Sequence, residues 1–320
     1  MKIAFMGTPV FARRPLEYLV KNTRHDVLAV VTGPDKPAGR GRKLKPTAVK
    51  SAAIDFNLPV FTPDSLKDEI FINQMIKIGA DIFIVVAFRI LPEKLFTIPE
   101  SGSINLHGSL LPKYRGAAPI NWAIINGETE TGLTTFFLKK KVDTGDIIYQ
   151  EKTEIAPDET FDDLYLRLSE MAGPVIEKTL DLIESGTIKE IAQDNSLATP
   201  APKIKPEDCL IDWTLPATKC VNFIRGMSSI PGAFTFFRGK KLKIFKAVKS
   251  GQNESGHCRP GQIIGDKKRL IVATPDGNIE ILQLLPEGKS KITGGEFKRG
   301  YQPKDGEFLG ETDTKDMEQT

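Results

Sequence analysis

The sequence predicts an α/β chain in two parts: a mostly parallel sheet with helices on both faces, then a small antiparallel barrel. Three observations carry this. The 320 residues exceed what one hydrophobic core usually supports. Residues up to about Gly186 alternate short β-rich runs with helical patterns, and such alternation implies a parallel sheet covered on both sides. Beyond a proline-rich stretch, short β-runs recur between Gly and Pro turns. With 40% hydrophobic and 27% charged residues, the composition excludes a disordered or collagen-like chain.

Taken in order, Lys2 to Met6, Asp26 to Thr32, Pro59 to Thr62, Asp81 to Phe88 and Ser103 to His107 read as strands. Arg13 to Lys21, Thr47 to Phe56 and Ser65 to Ile78 read as helices between them. A strand pair, Thr131 to Leu138 and Asp146 to Thr153, precedes a helix that Thr160 and Asp163 open in the manner of a capping box. That helix is expected to reach Gly186, with a kink where Gly173 and Pro174 interrupt its apolar spacing. From Lys189 through Thr199, Pro200, Pro202 and Pro206 the composition suits an extended linker. A helix over Ala217 to Met227 follows. After it come β-runs at Gly232 to Phe237, Lys241 to Ala247, Gly261 to Gly265, Arg269 to Ala273 and Asn278 to Leu285.

Charge is unevenly placed. Residues 206 to 310 hold 17 Lys+Arg against 11 Asp+Glu, while the formal charge of the whole chain is only +3. This surplus suits a polyanionic partner and a solvated surface equally. Three cysteines without paired spacing argue against a disulfide framework or a zinc ribbon, and the scattered His25, His107 and His257 make no local metal cluster. No metal is assigned. The apolar run from Ile82 to Phe88 is far shorter than the roughly 20 residues of a membrane span. Gly7, Pro9, Arg13 and Arg14 interrupt any signal-peptide core. These features predict a cytoplasmic protein.

The first strand-to-helix turn, Gly7-Thr8-Pro9-Val10-Phe11-Ala12, has only the first of the three glycines a dinucleotide site needs, which disfavours a nicotinamide or flavin enzyme. The segment Asn105-Leu106-His107-Gly108-Ser109-Leu110-Leu111-Pro112 differs. Two polar side chains two apart on a strand share a face, here at the carboxyl end where open parallel sheets bind ligands. Lys113 to Pro119 follow at once, and Val142-Asp143-Thr144-Gly145-Asp146 forms a polar turn later.

Together these residues closely resemble the folate-dependent formyltransferase family, whose pattern is Asn-x-His, then Ser-Leu-Leu-Pro, then Asp-Thr-Gly. The resemblance spans most of the chain. It includes Gly7-Thr8-Pro9 with Phe11-Ala12, Pro34 to Pro46, Val85 to Phe88, Ile211-Asp212-Trp213 and Pro231-Gly232-Ala233. It is strongest to the members that formylate the α-amine of methionine on initiator methionyl-tRNA, with 10-formyltetrahydrofolate consumed as formyl donor.

The resemblance implies catalytic roles for Asn105, His107 and Asp143. In such a reaction a neutral amine attacks the formyl carbon through a tetrahedral intermediate. Asn105 would donate to the developing oxyanion, and His107 would donate a second bond or move a proton with Asp143 orienting its ring. Ser109, Leu110, Leu111, Pro112 and Phe88 match the folate-contact segments. In the basic loop, Arg40 matches the arginine that enters an acceptor stem, and Arg42, Lys43 and Lys45 can add phosphate contacts. The fold implied is a Rossmann-like catalytic domain at residues 1–189, a linker at 190–206 and an OB-like tRNA-binding domain at 207–320. No membrane and no obligate protein partner are implied, and a monomer is expected. Rival readings are an amino-sugar-nucleotide formyltransferase, which lacks the basic loop, a single-domain glycinamide ribonucleotide formyltransferase, and a non-catalytic RNA-binding protein, which has no use for Asn105, His107 and Asp143.

Overall fold

The computed structural model describes residues 1–38, 43–251, 258–266 and 268–310, and of residues 38 and 43 the backbone alone. The chain forms two compact units. One comprises Met1–Pro119, Glu130–Glu154 and Tyr165–Pro202; the other comprises Ile120–Thr129, Ile155–Leu164 and the described residues from Lys203 onward. Among the described residues, no helix is long and apolar enough to cross a membrane.

The first unit opens with β1 (Lys2–Gly7), α1 (Val10–Asn22), β2 (Asp26–Val31) and a hairpin of β3 (Lys36–Ala38) with β4 (Lys43–Lys45). It continues with α2 (Ala48–Asp55), β5 (Val60–Phe61), α3 (Glu69–Ile78), β6 (Ile82–Val86), α4 (Glu93–Phe96), β7 (Ser103–His107) and the short β8 (Arg115–Gly116). α5 (Pro119–Ile125), nearly all of it in the second unit, leads to β9 (Glu130–Phe137), β10 (Ile147–Glu154) and α6 (Phe161–Glu184), whose first turn also belongs to the second unit. The sheet order is β10-β9-β7-β6-β1-β2-β5. Its pairs from β5 to β7 are parallel, and β9 and β10 extend it antiparallel, so the expected strand pair is the mixed edge of one sheet.

Period-2 alternation sorts the buried strands onto two faces. Ala4, Met6, Ala29, Val31, Phe83 and Val85 pack with Phe71 and Met75 of α3 and Leu95 of α4. Fully burying a Met or Phe of this kind is worth about 1.5–3 kcal/mol. On the other face lies Gly7, where a Cβ would stand 2.6 Å from the Cβ of Ala12 on α1. The lone glycine of the first turn thus serves strand–helix packing. Helix ends follow local chemistry: Thr47 accepts from the Lys50 amide, Asp68 accepts from the Ile70 amide, and Gly79 closes α3 at φ +63°. Thr160 and Asp163 bond each other reciprocally before α6, which runs on past Pro174; Gly173 admits the ring of Tyr18, 2.4 Å from where a Cβ would sit.

The stretch expected as a linker is extended, yet its backbone is engaged. Ile191 and Ile147 exchange both backbone hydrogen bonds, at 2.9 and 3.0 Å. Further on, β11 (Pro200–Ala201) pairs in parallel with β8. Proline and alanine give no hydrophobic signal here because the stretch contributes main-chain groups.

The second unit holds α7 (Ala217–Met227), β12 (Ala233–Phe237), β13 (Lys240–Lys249), β14 (Ile263–Ile264), β15 (Leu270–Thr274), β16 (Gly277–Pro286), β17 (Ile292–Thr293) and α8 (Gly294–Tyr301). Trp213, Ile224, Ile244, Ile281, Leu284 and Phe297 build its core, and the Trp213 indole N–H donates to the Thr235 hydroxyl at 3.0 Å. The sheet runs β12-β13-β16-β15-β14, with β17 on β16. Among the described residues its end strands do not pair with each other, so where a small antiparallel barrel was expected the sheet is a curled half-barrel. Between the ends lies an irregular segment. Leu309 N–H bonds Gly261 O at 2.8 Å beside β14, and Gly310 N–H bonds Phe236 O at 2.8 Å on β12. The β-run pattern reads individual strands but carries no information on whether the last edge meets the first.

Candidate active site

Asn105 and His107 lie on β7, two residues apart and so on one face, with Asn105 beside Val85 and Phe136 and His107 beside Thr134. His107 is buried, with Nε2 2.8 Å from the Tyr114 carbonyl oxygen. A carbonyl only accepts, so Nε2 carries the proton and the neutral ring keeps its lone pair on Nδ1. Nδ1 stands 4.0 Å from Asp143 Oδ2. That is a charge partner's distance, beyond a direct hydrogen bond. The ring is therefore oriented by the Tyr114 carbonyl, where the resemblance implied orientation by Asp143. The Asn105 side chain is half-buried and makes no hydrogen bond among the described residues, which leaves its amide available to a ligand.

Asp143 occupies the turn between β9 and β10 at φ +53°, a left-handed conformation unusual outside glycine. Gly145 allows the turn to close, since a Cβ there would fall 1.6 Å from Phe137 O. The Gly116 N–H donates to Asp143 Oδ2 at 2.9 Å. Gln193 Nε2 donates to Asp143 O at 3.1 Å and to Gly145 O at 2.8 Å, while Arg115 grips Gln193 Oε1 through Nε at 3.0 Å and Nη2 at 2.7 Å.

After β7 the chain makes a hydrogen-bonded loop. Ser109 is fully buried and its hydroxyl donates to Lys113 O at 2.7 Å, so it faces inward. Leu111 packs on Phe136 and Ile147. Thr134 Oγ1 donates to Ser109 O at 2.6 Å and accepts from the Leu111 amide at 3.1 Å, and Gln150 Nε2 donates to Leu111 O at 2.9 Å. Of the four expected folate-contact residues in this loop, Leu110 and Pro112 are the two with partly open surface. Phe88, just past β6 and next to β7, is half-buried against the core cluster with the Arg89 guanidinium 5.3 Å from its ring centroid.

The basic loop follows β2, a strand three places from β7 in the sheet and so roughly 14 Å across it at strand spacing. Lys45 is exposed on β4; Arg40 and Arg42 lie outside the described residues, as does the side chain of Lys43. Sequence reasoning named Tyr114, Arg115 and Gly116 only as part of the segment Lys113 to Pro119, without a role for each, and missed Thr134, Gln150 and Gln193. Thr134 could have been reached through strand register opposite His107, whereas Tyr114 and Gly116 act through backbone atoms and Gln193 from a distant segment. An amide donor beside an imidazole whose free nitrogen faces a carboxylate can stabilise an oxyanion and carry a proton in acyl transfer.

Known proteins share this framework. A family model described as formyl transferase matches residues 1–180, and one described as formyl transferase, C-terminal domain, matches residues 203–302. A methionyl-tRNA formyltransferase of Bacteroides thetaiotaomicron is 43% identical over 316 residues, covering 96% of this chain and 97% of its own. One from Pelotomaculum thermopropionicum is 44% identical over 313 residues, covering 97% and 99%. Among solved structures, an N-formyltransferase from Helicobacter canadensis in complex with folinic acid and dTDP-3-aminofucose superposes with a TM-score of 0.67, covering 88% of this chain and 98% of that one. At 21% identity that last likeness is one of fold. Matched by the family model over more than half its length, and by relatives of the same family over nearly all of it, the chain belongs to the formyl transferase family.

Proposed function

We propose that this chain transfers the formyl group of 10-formyltetrahydrofolate to the α-amine of methionine on initiator methionyl-tRNA. The observation that carries the reading is the unengaged Asn105 amide beside a His107 ring whose Nδ1 faces Asp143. Asn105 donates to the formyl oxygen as negative charge gathers there, a contribution of ~10² to 10³ in rate for one such donor. The folate substrate supplies an activated formyl group on nitrogen. As the amine bonds to the formyl carbon, its proton passes to His107 Nδ1. The carboxylate of Asp143 favours the charged ring, and the proton leaves with the departing folate nitrogen as the old carbon–nitrogen bond breaks.

In this reading residues 1–189 carry the chemistry, 190–206 join the parts, and 207–320 form an OB-like module that binds tRNA in the cytoplasm. Leu110, Pro112 and Phe88 would form the apolar walls for the pterin, with Ser109 and Leu111 holding the loop from behind. The identity to methionyl-tRNA formyltransferases supports tRNA as acceptor over an amino-sugar nucleotide. The test supplies 10-formyltetrahydrofolate with methionyl initiator tRNA or, separately, with a dTDP-amino sugar, and follows formyl transfer to each amine. Transfer to the sugar without transfer to tRNA would overturn the reading.

A further inference from the structure

Asp143 is held in a left-handed backbone conformation that is unfavourable for a non-glycine residue and persists only where the surroundings over-determine it. The surroundings here converge on one side chain. Gln193 Nε2 donates to the carbonyls of both Asp143 and Gly145, on either side of Thr144. Its Oε1 faces outward to the Arg115 fork, whose third prong, Nη1, donates to Asn195 Oδ1 at 2.8 Å. Only this amide orientation satisfies both ends, since carbonyls need a donor and a guanidinium needs an acceptor.

The clamp is itself anchored at both ends. Two residues before Gln193, Ile191 is bonded through its backbone to Ile147, the first residue of β10. On the other side, Arg115 N–H donates to Thr199 O at 2.8 Å, and Gly116, next in chain, supplies the amide that holds the Asp143 carboxylate. One connected network thus fixes the backbone of Asp143 through Gln193 and its carboxylate through Gly116.

We infer that Gln193, locked by Arg115, is a positioning residue for the reaction, setting the distance of the Asp143 carboxylate from His107 without touching substrate. The inference rests on the proposed place of Asp143 in the reacting site. It assigns a catalytic consequence to a segment whose composition reads as linker.

The test is the Gln193→Glu enzyme, in which a carboxylate still pairs with Arg115 but offers no donor to the two carbonyls. Its kcat should fall ~10- to 100-fold, the scale of a small misplacement of a reacting group, with KM for folate and for methionyl-tRNA within about threefold of wild type. Its thermal midpoint should stay close to wild type because the ion pair remains. In an Asp143→Asn background the same substitution should add almost nothing. Arg115→Lys, which keeps the charge and loses the fork, should give a smaller kcat loss that likewise disappears in that background. Unchanged kcat in Gln193→Glu, a loss that appears in KM or in folded protein instead, or losses that multiply with Asp143→Asn would each overturn the inference and leave Asp143 its role. Normal activity of Asp143→Asn alone would remove that role, and the inference with it.

Discussion

His107 donates from Nε2 to the carbonyl oxygen of Tyr114 across 2.8 Å, which turns the opposite nitrogen of its ring toward Asp143, 4.0 Å away. The tautomer is thus decided by a backbone atom seven residues along the chain. The carboxylate is left to stabilise charge on the ring once Nδ1 is protonated. A histidine held so is already aimed in its neutral form, and its charged form gains a partner without having to turn.

Asn105→Ala should lower turnover by ~10² or more while tRNA affinity stays nearly unchanged, because its hydrogen bond strengthens only as charge develops on the formyl oxygen. Single-turnover formylation beside equilibrium tRNA binding separates the two effects. Near-normal turnover would remove Asn105 from the reaction.

His107→Ala and Asp143→Asn should each reduce kcat at least as strongly, and the double variant should be little worse than the poorer single one, since an aimed base and its charge partner act as a unit. Independent, multiplying losses would mean that the 4.0 Å approach has no catalytic meaning.

Much of this was legible in the sequence, and the limits have physical causes. Continuous apolar runs such as Ile82–Val86 announce a strand covered on both faces, and Asn105 with His107 announces a polar face at its end. Glycine positions were legible as requirements but not as reasons: Gly7 meets α1, and Gly145 lets a turn close over Phe137. Illegible were interactions of main-chain atoms and of residues remote in sequence. Tyr114 acts through its carbonyl, Gly116 through its amide, and Gln193 reaches Asp143 across fifty positions of chain. The sheet of the second unit failed for a related reason, because Leu309 and Gly310 cross between its ends as irregular backbone with no strand pattern.

Thiol reactivity should single out one cysteine. Burial pushes the Cys209 thiol up and the Cys220 thiol up to about 12, so neither is an accessible thiolate near neutral pH, whereas Cys258 is partly exposed. A disulfide reagent at pH 8 should label native protein rapidly at Cys258 alone, with the other two reacting only on unfolding. A fast phase that survives in Cys258→Ser would contradict the burial of the pair.

His25 should make the fold acid-sensitive. Burial foremost, then the Met1 ammonium 3.1 Å from its Nδ1 and the neighbouring Arg24, hold its pKa below the ordinary value, against the opposing pull of Glu184 and Asp181. The folded state therefore binds fewer protons at this site than the unfolded chain. Its contribution is intact above the unfolded pKa of about 6.5 and is lost as pH falls toward and through the folded value. One proton gives a slope of at most about 1.4 kcal/mol per pH unit. Between pH 7 and pH 5 the thermal midpoint of wild type should drop more steeply than that of His25→Asn, and parallel curves would show that another group governs the acid limb.

The basic loop decides between a tRNA and a sugar acceptor. Lys45 is exposed on β4, and β2, the strand before the hairpin, lies three strands from β7, so substitutions in the loop should spare the folate side of the reaction. If Arg40 enters an acceptor stem, Arg40→Ala should lower kcat/KM for methionyl-tRNA strongly and leave KM for 10-formyltetrahydrofolate unchanged. Arg42, Lys43 and Lys45 should behave differently. Where each meets a phosphate, its neutralisation flattens the plot of log tRNA affinity against log salt by ~0.7 to 0.9, because one fewer counterion is released on binding. A loop that is merely solvated changes neither quantity. The measurement is tRNA affinity over a salt series for the wild type and the four single variants, with formyl transfer to a dTDP-amino sugar followed in parallel. Robust transfer to the sugar, with tRNA binding indifferent to all four substitutions, would overturn tRNA as acceptor while leaving the chemistry of Asn105, His107 and Asp143 to serve a different amine.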